Sequence, residues 1–268
     1  MIIFDGKTYA QNKERELGEE VSQLKKKGIT PKLVTILVGK NPASILYTNL
    51  KKKAAERIKV KFEIINLSSS VKPLQITTII KDLNKDEKVH GIMVQLPLPT
   101  NLKLKTQSIL NAIDPTKDVD GLTKESTYMP ATTKAVLRIL GVAKEQVNLG
   151  EEKVVVVGSH GMVGKSVVKE LKNLKYKVTG LDIGSKNIKK ETLKADILIS
   201  ATGKPNLIKA NMVKEGSAII DVGSPKPDVA FNEVASKAVF ITPVPGGVGP
   251  VTIVSLLENL VQPLYNSL

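Results

Sequence analysis

Apolar positions along the chain fall into two alternating rhythms. Leu17, Val21 and Leu24 recur at helical spacing before Gly28, which predicts an amphipathic helix over residues 8–27 with a glycine stop. Three short β-branched runs follow, Leu33 to Val38, Val60 to Leu67 and Val89 to Gln95, separated by helical patterns near 43–58 and 73–85. Strands alternating with helices imply a parallel sheet covered on both faces, with ligands beyond the carboxyl ends of its strands. After a loop-like stretch with Asp114-Pro115 and Met129-Pro130 the rhythm resumes. It predicts a strand over Lys153 to Val157, a helix from about Met162, and strands over Lys177 to Asp182, Asp196 to Ser200, Ser217 to Asp221 and Ala238 to Ile241. Last, Ile253, Val254, Leu256, Leu257, Leu260 and Val261 form an apolar helical stripe that needs a surface to cover it, and we expect it to pack back on the first domain.

A chain of 268 residues suits two such α/β domains, and 41% apolar residues without low-complexity stretches suit packed cores. The absence of cysteine excludes disulfides, thiolate nucleophiles and cysteine-held metals. With only two histidines, His90 and His160, no metal is expected. The opening Met1-Ile2-Ile3-Phe4-Asp5 is too short an apolar run for a secretory signal, and no run approaches the ~18 apolar residues that cross a membrane. A cytoplasmic chain with no membrane partner is the expectation. The net charge of +14 is the footprint of a phosphate-backbone binder, yet only Arg15, Arg57 and Arg138 are arginines. Scattered lysines lack the planar fork that reads bases, so a solvated lysine surface accounts for the charge and no nucleic-acid partner is expected.

The run Val154-Val155-Val156-Val157-Gly158-Ser159-His160-Gly161-Met162-Val163-Gly164 reads as a buried strand followed by glycines that open a helix. Amides at such a helix start can hold a pyrophosphate, because glycine permits close approach and the helix dipole favours anions. The spacing is G-x-x-G-x-x-G, and a plain tight turn is the alternative. Asp182 closes the next strand, where it can accept hydrogen bonds from an adenosine ribose and would repel a 2′-phosphate. That favours NAD over NADP, although Ser185, Lys186 and Lys189 follow and offset the repulsion, and a solvated strand-end acid is the alternative for Asp182.

Tyr47 and Lys51 are four apart in a helical segment and share one face. Alone, Lys51-Lys52-Lys53 would be a solvated run. Their company changes that: Val38-Gly39-x-x-Pro42-Ala43-Ser44-x-x-Tyr47-x-x-x-Lys51, then Gly91-Ile92-Met93-Val94-Gln95-Leu96-Pro97-Leu98-Pro99, Lys117-Asp118-Val119-Asp120-Gly121, and Thr242-Pro243-Val244-Pro245-Gly246-Gly247-Val248-Gly249-Pro250-x-Thr252. This ordered set closely resembles the bifunctional methylenetetrahydrofolate dehydrogenase/cyclohydrolase family, the FolD type, across nearly the whole chain.

The resemblance implies an enzyme that oxidises 5,10-methylene-tetrahydrofolate with NAD or NADP and hydrolyses the methenyl product to 10-formyl-tetrahydrofolate, acting as a homodimer. It implies that Tyr47 and Lys51 line the folate pocket with Lys51 as general base, that Gln95 hydrogen-bonds and tunes Lys51, and that Asp120 binds the pterin ring. Ser44, Pro97, Pro243, Gly246, Gly247 and Val248 are then substrate contacts. Gly158, Ser159, His160, Gly161, Gly164, Asp182, Ile183, Ser224 and Thr242 are cofactor contacts, in a cleft between two domains. The implied organisation is a folate-binding catalytic domain at 1–118 with a returning helix at 250–268, and a Rossmann-type dinucleotide-binding domain at 119–249.

The chain departs from the family in places. An arginine that commonly holds the 2′-phosphate is replaced by Ser159, and the serine that commonly joins it falls at Ile183. Pro130-Ala131-Thr132-Thr133 stands where the family has proline-cysteine-threonine-proline, and the segment Ser224 to Val229 is short. These departures put the usual NADP preference in doubt. They also leave open a cyclohydrolase with an impaired cofactor site, while the lysine-rich charge leaves a basic nucleic-acid-binding protein as the remote alternative.

Overall fold

Four consecutive valines show how the larger sheet is built. In β5 (Val154–Val157), Val154 and Val156 enter one buried cluster while Val155 and Val157 enter another on the opposite face. Successive strand residues point to opposite faces, so a strand buried on both sides has no polar position to spare. The same division holds for β7 (Ile197–Ser200) and β8 (Ser217–Asp221): Ile197, Ile199, Ala218 and Ile220 face one core, Leu198 and Ile219 the other. These coordinates are a computed structural model and describe residues 1–149 and 152–268. They divide into two units, Met1–Ala10 with Thr132–Thr252, and Gln11–Ala131 with Ile253–Leu268.

The first unit holds a six-stranded sheet in the order β1-β9-β8-β7-β5-β6, every pairing parallel, where β1 is Ile2–Ile3, β6 is Val178–Leu181 and β9 is Ala238–Ile241. The strands expected over 153–157, 177–182, 196–200, 217–221 and 238–241 are all present, as is α6 (Met162–Asn173). The short helices α4 (Thr106–Leu110), α7 (Ile188–Thr192) and α8 (Phe231–Val234) went unpredicted, and so did two elements that bear on how the units are built. Ile2 and Ile3 pair with Phe240 and Ile241, and Phe4 packs on Phe240 with ring centroids 5.8 Å apart, so the first residues join this unit rather than the one that follows them. Helix α5 (Ala131–Gln146) fills the stretch left unassigned after Met129-Pro130; its Ala135, Val136, Ile139, Leu140 and Ala143 keep helical spacing and lie in the core.

The second unit holds a three-stranded parallel sheet in the order β3-β2-β4, with β2 at Lys32–Val38, β3 at Lys61–Leu67 and β4 at Gly91–Val94. Helix α1 (Gly6–Lys26) starts in the six-stranded unit and belongs to this one from Gln11 onward; it, α2 (Pro42–Arg57) and α3 (Pro73–Lys85) match the predicted rhythm. Helix α2 starts where the Asn41 side chain accepts a hydrogen bond from Ser44 N at 3.0 Å and Pro42 takes the first helical position. The end of α3 is capped by a residue far away in sequence: Lys117 Nζ donates to the carbonyls of Leu83, Asn84 and Asp86 at 3.2, 2.8 and 2.8 Å.

The C-terminal stripe belongs to α9 (Val248–Asn266), and from Ile253 onward it joins the three-stranded unit, as the pattern implied. The approach is close. A Cβ at Gly91 would lie 2.8 Å from both Leu260 Cδ1 and Val119 Cγ1. Asn259 Nδ2 ties the 119–129 segment to the helix, donating to Val119 O at 2.9 Å and Met129 O at 3.0 Å. Residues 119–131 therefore stay with this unit. Replacing Asn259 by Ala leaves two carbonyls without that donor, and we expect a loss of about 1–3 kcal/mol in denaturant titration. An unchanged midpoint would show that the tie contributes nothing.

Candidate active site

The buried face of α2 carries Ser44, Thr48 and Lys51, spaced so that all three point the same way. Opposite them, β4 presents alternate residues. Ile92 and Val94 enter the apolar core, while Met93 and, just past the strand end, Gln95 take the other side. Lys51 is only 7% exposed, and its Nζ donates to Gln95 Oε1 at 3.0 Å and lies 3.7 Å from Met93 Sδ. Gln95 is held at both ends: its backbone N donates to Ile36 O at 2.9 Å and its Nε2 to Leu96 O at 2.7 Å. With Nε2 so engaged, the amide turns its oxygen to the lysine.

Burial pushes the Lys51 ammonium below its ordinary value, and the Asp120 carboxylate opposes that shift in part. Burial raises the Asp120 carboxyl, Lys51 opposes, and Asp118 adds to the rise. Asp118 itself is structural. Its two oxygens accept from Gly121 N at 3.2 Å and Thr123 N at 2.7 Å, closing a turn in which Gly121 has φ +74°. Of the sequence-predicted set, Lys51, Gln95 and Asp120 thus form one electrostatic cluster, with Tyr47 half-buried one turn before the lysine, Ser44 buried and Pro97 exposed. Met93 escaped the sequence reading, because a methionine in an apolar strand carries no chemical signal of its own.

The glycine loop lies in the other unit. Gly158 has φ +89°, and a Cβ there would fall 2.3 Å from Ala201 O; one at Gly164 would fall 2.1 Å from Gly158 O. Only bare backbone fits at both positions. Helix α6 starts at Gly161 with no side-chain cap, and its first internal bond runs from Lys165 N to Gly161 O at 2.9 Å. The amides of Met162, Val163 and Gly164 are therefore left for a ligand, which fits a pyrophosphate.

Asp182 turns onto this loop. Its Oδ2 accepts from His160 N at 3.0 Å and Ser159 Oγ at 3.3 Å, and pairs with the exposed His160 ring. Ser185 Oγ in turn accepts from Asp182 N at 2.9 Å. Ile183 and Ser224 are exposed, whereas Thr242 is buried with its hydroxyl accepting from Asp221 N at 2.7 Å. In the last motif Gly246 has φ +108°, Gly247 N donates to Pro243 O at 2.9 Å, and Val248 is buried. A Cβ at Gly6 would lie 2.0 Å from Gly247 O, so the start of α1 packs directly on this loop. Among the described residues no group of three or more His, Asp or Glu side chains is placed to hold a metal ion.

Comparison with known proteins agrees with this arrangement. Residues 4–120 match the family described as tetrahydrofolate dehydrogenase/cyclohydrolase, catalytic domain, and residues 130–267 match its NAD(P)-binding domain. The bifunctional protein FolD of Bacillus subtilis is 42% identical, covering 97% of this chain and 96% of the relative. The crystal structure of bifunctional FolD, a methylenetetrahydrofolate dehydrogenase/cyclohydrolase from Campylobacter jejuni, superposes with a TM-score of 0.92 at 38% identity, covering 100% of both chains. That of the Trypanosoma brucei enzyme, complexed with NADP cofactor and inhibitor, does so with a TM-score of 0.91 at 32% identity, covering 99% of this chain and 97% of that one. A buried lysine held by a glutamine in one unit, a bare-backbone glycine loop in the other and matches along the whole length lead to one conclusion: the chain belongs to the tetrahydrofolate dehydrogenase/cyclohydrolase family.

Proposed function

We propose that this chain oxidises 5,10-methylene-tetrahydrofolate with a nicotinamide dinucleotide and hydrolyses the methenyl product to 10-formyl-tetrahydrofolate. The observation that carries the reading is the Lys51 ammonium, almost wholly buried and held on Gln95 Oε1. Family membership and the bifunctional relatives support both activities. NAD(P), when bound on the Gly158–Gly164 loop, supplies the hydride acceptor for the first step. That step asks the chain's own residues for positioning rather than proton transfer.

Hydrolysis needs the lysine. Burial favours the neutral amine, and Gln95 Oε1 accepts one N–H so that the Nζ lone pair points elsewhere. As water adds to the methenyl carbon, Nζ takes its proton. When the adduct collapses and the bond from that carbon to N5 breaks, Nζ returns a proton to N5 and the new hydroxyl loses its own to solvent. Asp120 is assigned to the pterin N–H donors, and Tyr47 to the wall beside Lys51. The roles that the resemblance implies for Ser44, Pro97 and the Pro243 to Val248 motif are part of the same reading.

NAD is the preferred dinucleotide in this proposal. Ser159 brings no cation to a 2′-phosphate, and Asp182 sets a carboxylate against the loop, tethered by His160 N. A homodimer, which the resemblance implies, and a cytoplasmic location belong to the same proposal; among the described residues no helix is long and apolar enough to cross a membrane.

Mixing the protein with methylene-tetrahydrofolate and either nucleotide, and following reduced nicotinamide and methenyl absorbance, tests the two activities; no reduction with either would remove the dehydrogenase. Lys51→Met is expected to cut hydrolysis by on the order of 10²–10⁴-fold and nicotinamide reduction far less, and full hydrolysis would exclude Lys51 as the base. Hydrolysis in the unaltered protein should rise with pH along a limb that lies below the ordinary lysine value. Gln95→Leu removes the oxygen that stabilises the ammonium, so the limb moves further down in pH; movement upward would contradict the pairing. Asp182→Ser is expected to raise kcat/KM for NADP relative to NAD by about tenfold, equivalent to ~1.4 kcal/mol, and an unchanged ratio would clear Asp182 of any part in the choice.

A further inference from the structure

Asp228 is wholly buried in the six-stranded unit, in a segment that follows β8, and the two reactions give it no part. Its Oδ2 gathers three donors: Ser200 Oγ at 3.0 Å, Thr202 N at 2.6 Å and Gly203 N at 3.2 Å. All three lie at or just past the carboxyl end of β7. That strand neighbours β5, and β5 has β6 on its other side, so the residues leaving β5 and β7 flank the point where the strand order reverses. Dinucleotides bind at such a point. The two segments also touch, since the missing Cβ of Gly158 leaves room for Ala201 O.

The anchor is itself anchored. Asp221, at the end of β8, accepts from Gly223 N at 2.7 Å and Asp228 N at 3.2 Å on Oδ1, and from Val229 N at 3.0 Å on Oδ2. Burial, with the neighbouring Asp228 adding, pushes the Asp221 carboxyl up to about 6. The other oxygen of Asp228 is buried without a hydrogen-bond partner, and Gly223 leaves it space that a Cβ would invade at 2.8 Å. A carboxylate whose second oxygen gains nothing is a poor way to fill a core position. Its placement is explained by what the first oxygen holds.

We infer that Asp228 is a positioning residue of the dinucleotide site, fixing the Ser200 to Gly203 segment as the wall that faces the glycine loop. The inference rests on the proposed dinucleotide reading, and the short Ser224–Val229 stretch that set this chain apart in sequence becomes the arm that delivers the anchor. It is tested in the full chain by Asp228→Ala, Asp228→Asn and Ser200→Ala, with NAD and NADP titrated calorimetrically, both activities assayed, and amide exchange of residues 201–204 followed without ligand.

Asp228→Ala should weaken dinucleotide binding and raise its KM by about tenfold or more, with kcat and hydrolysis of supplied methenyl-tetrahydrofolate falling far less, because three donors lose one acceptor. Asp228→Asn keeps an acceptor oxygen and should recover most of the loss. Ser200→Ala removes one donor of three and should weaken binding about threefold, which decides the matter if Asp228→Ala does not fold. Exchange at 201–204 should quicken in Asp228→Ala while the strand amides of β5 and β7 do not change. Unaltered dinucleotide affinity in Asp228→Ala or Ser200→Ala, equal losses in both activities, or an Asn variant as impaired as the Ala variant would overturn the inference. If the unaltered protein binds neither nucleotide, the dinucleotide reading fails instead, and the exchange at 201–204 still decides whether Asp228 holds that segment.

Discussion

A lysine ammonium removed from water has to be met by something, and much of the three-stranded unit is arranged around that demand. The helix that carries Lys51 begins at an Asn41 cap, which fixes the turn from which Ser44, Thr48 and Lys51 are counted. The strand that faces it ends where a glutamine can turn its oxygen inward, and the glutamine is pinned by Ile36 O and Leu96 O. The opposing charge sits on a turn that Asp118 closes and Asn259 holds from behind. Each of these contacts is ordinary alone. Together they set how much of the lysine is protonated, and so what it can do.

The six-stranded unit answers a different demand, close approach by an anion. There the decisive atoms are those that are missing. Bare backbone at Gly158 and Gly164 lets three chain segments converge where side chains would collide, and an uncapped helix start is left pointing at the space beyond β5. The four valines behind it, packed on both faces, keep that start from shifting.

Most of the fold was legible in the sequence because strands such as β2, β4, β5, β7 and β8 are buried on both faces and read as largely apolar runs. The exceptions have physical causes. Ile2 and Ile3 form a strand too short to signal itself, recognisable only through its partners Phe240 and Ile241. Helix α5 follows a proline and opens with two threonines, which reads as a loop until Ala135, Val136, Ile139, Leu140 and Ala143 are set on a helical wheel. At the site, Lys51, Gln95 and Asp120 come from three separate motifs, and only resemblance joined them; nothing in the local sequence distinguishes a lysine inside a run of three from its solvated neighbours. Lys117 was likewise one basic residue among many, yet its ammonium closes α3 by bonding three carbonyls, a role that exists only after the chain has folded. The acids Asp221 and Asp228 left no trace either, since their partners are chiefly backbone amides.

The unit that holds Lys51 is made from two stretches of chain, and Ile253–Leu268 is the second. A ribosome works from the amino end, so Val119 and Met129 are synthesised more than a hundred residues before the Asn259 that bonds both. Through that interval the apolar surface beside Gly91 lacks Leu260 and must wait uncovered. The lysine site is thus among the last features of a nascent chain to mature, and a prematurely terminated product would carry every residue of the lysine cluster without the helix that braces the Asp120 turn.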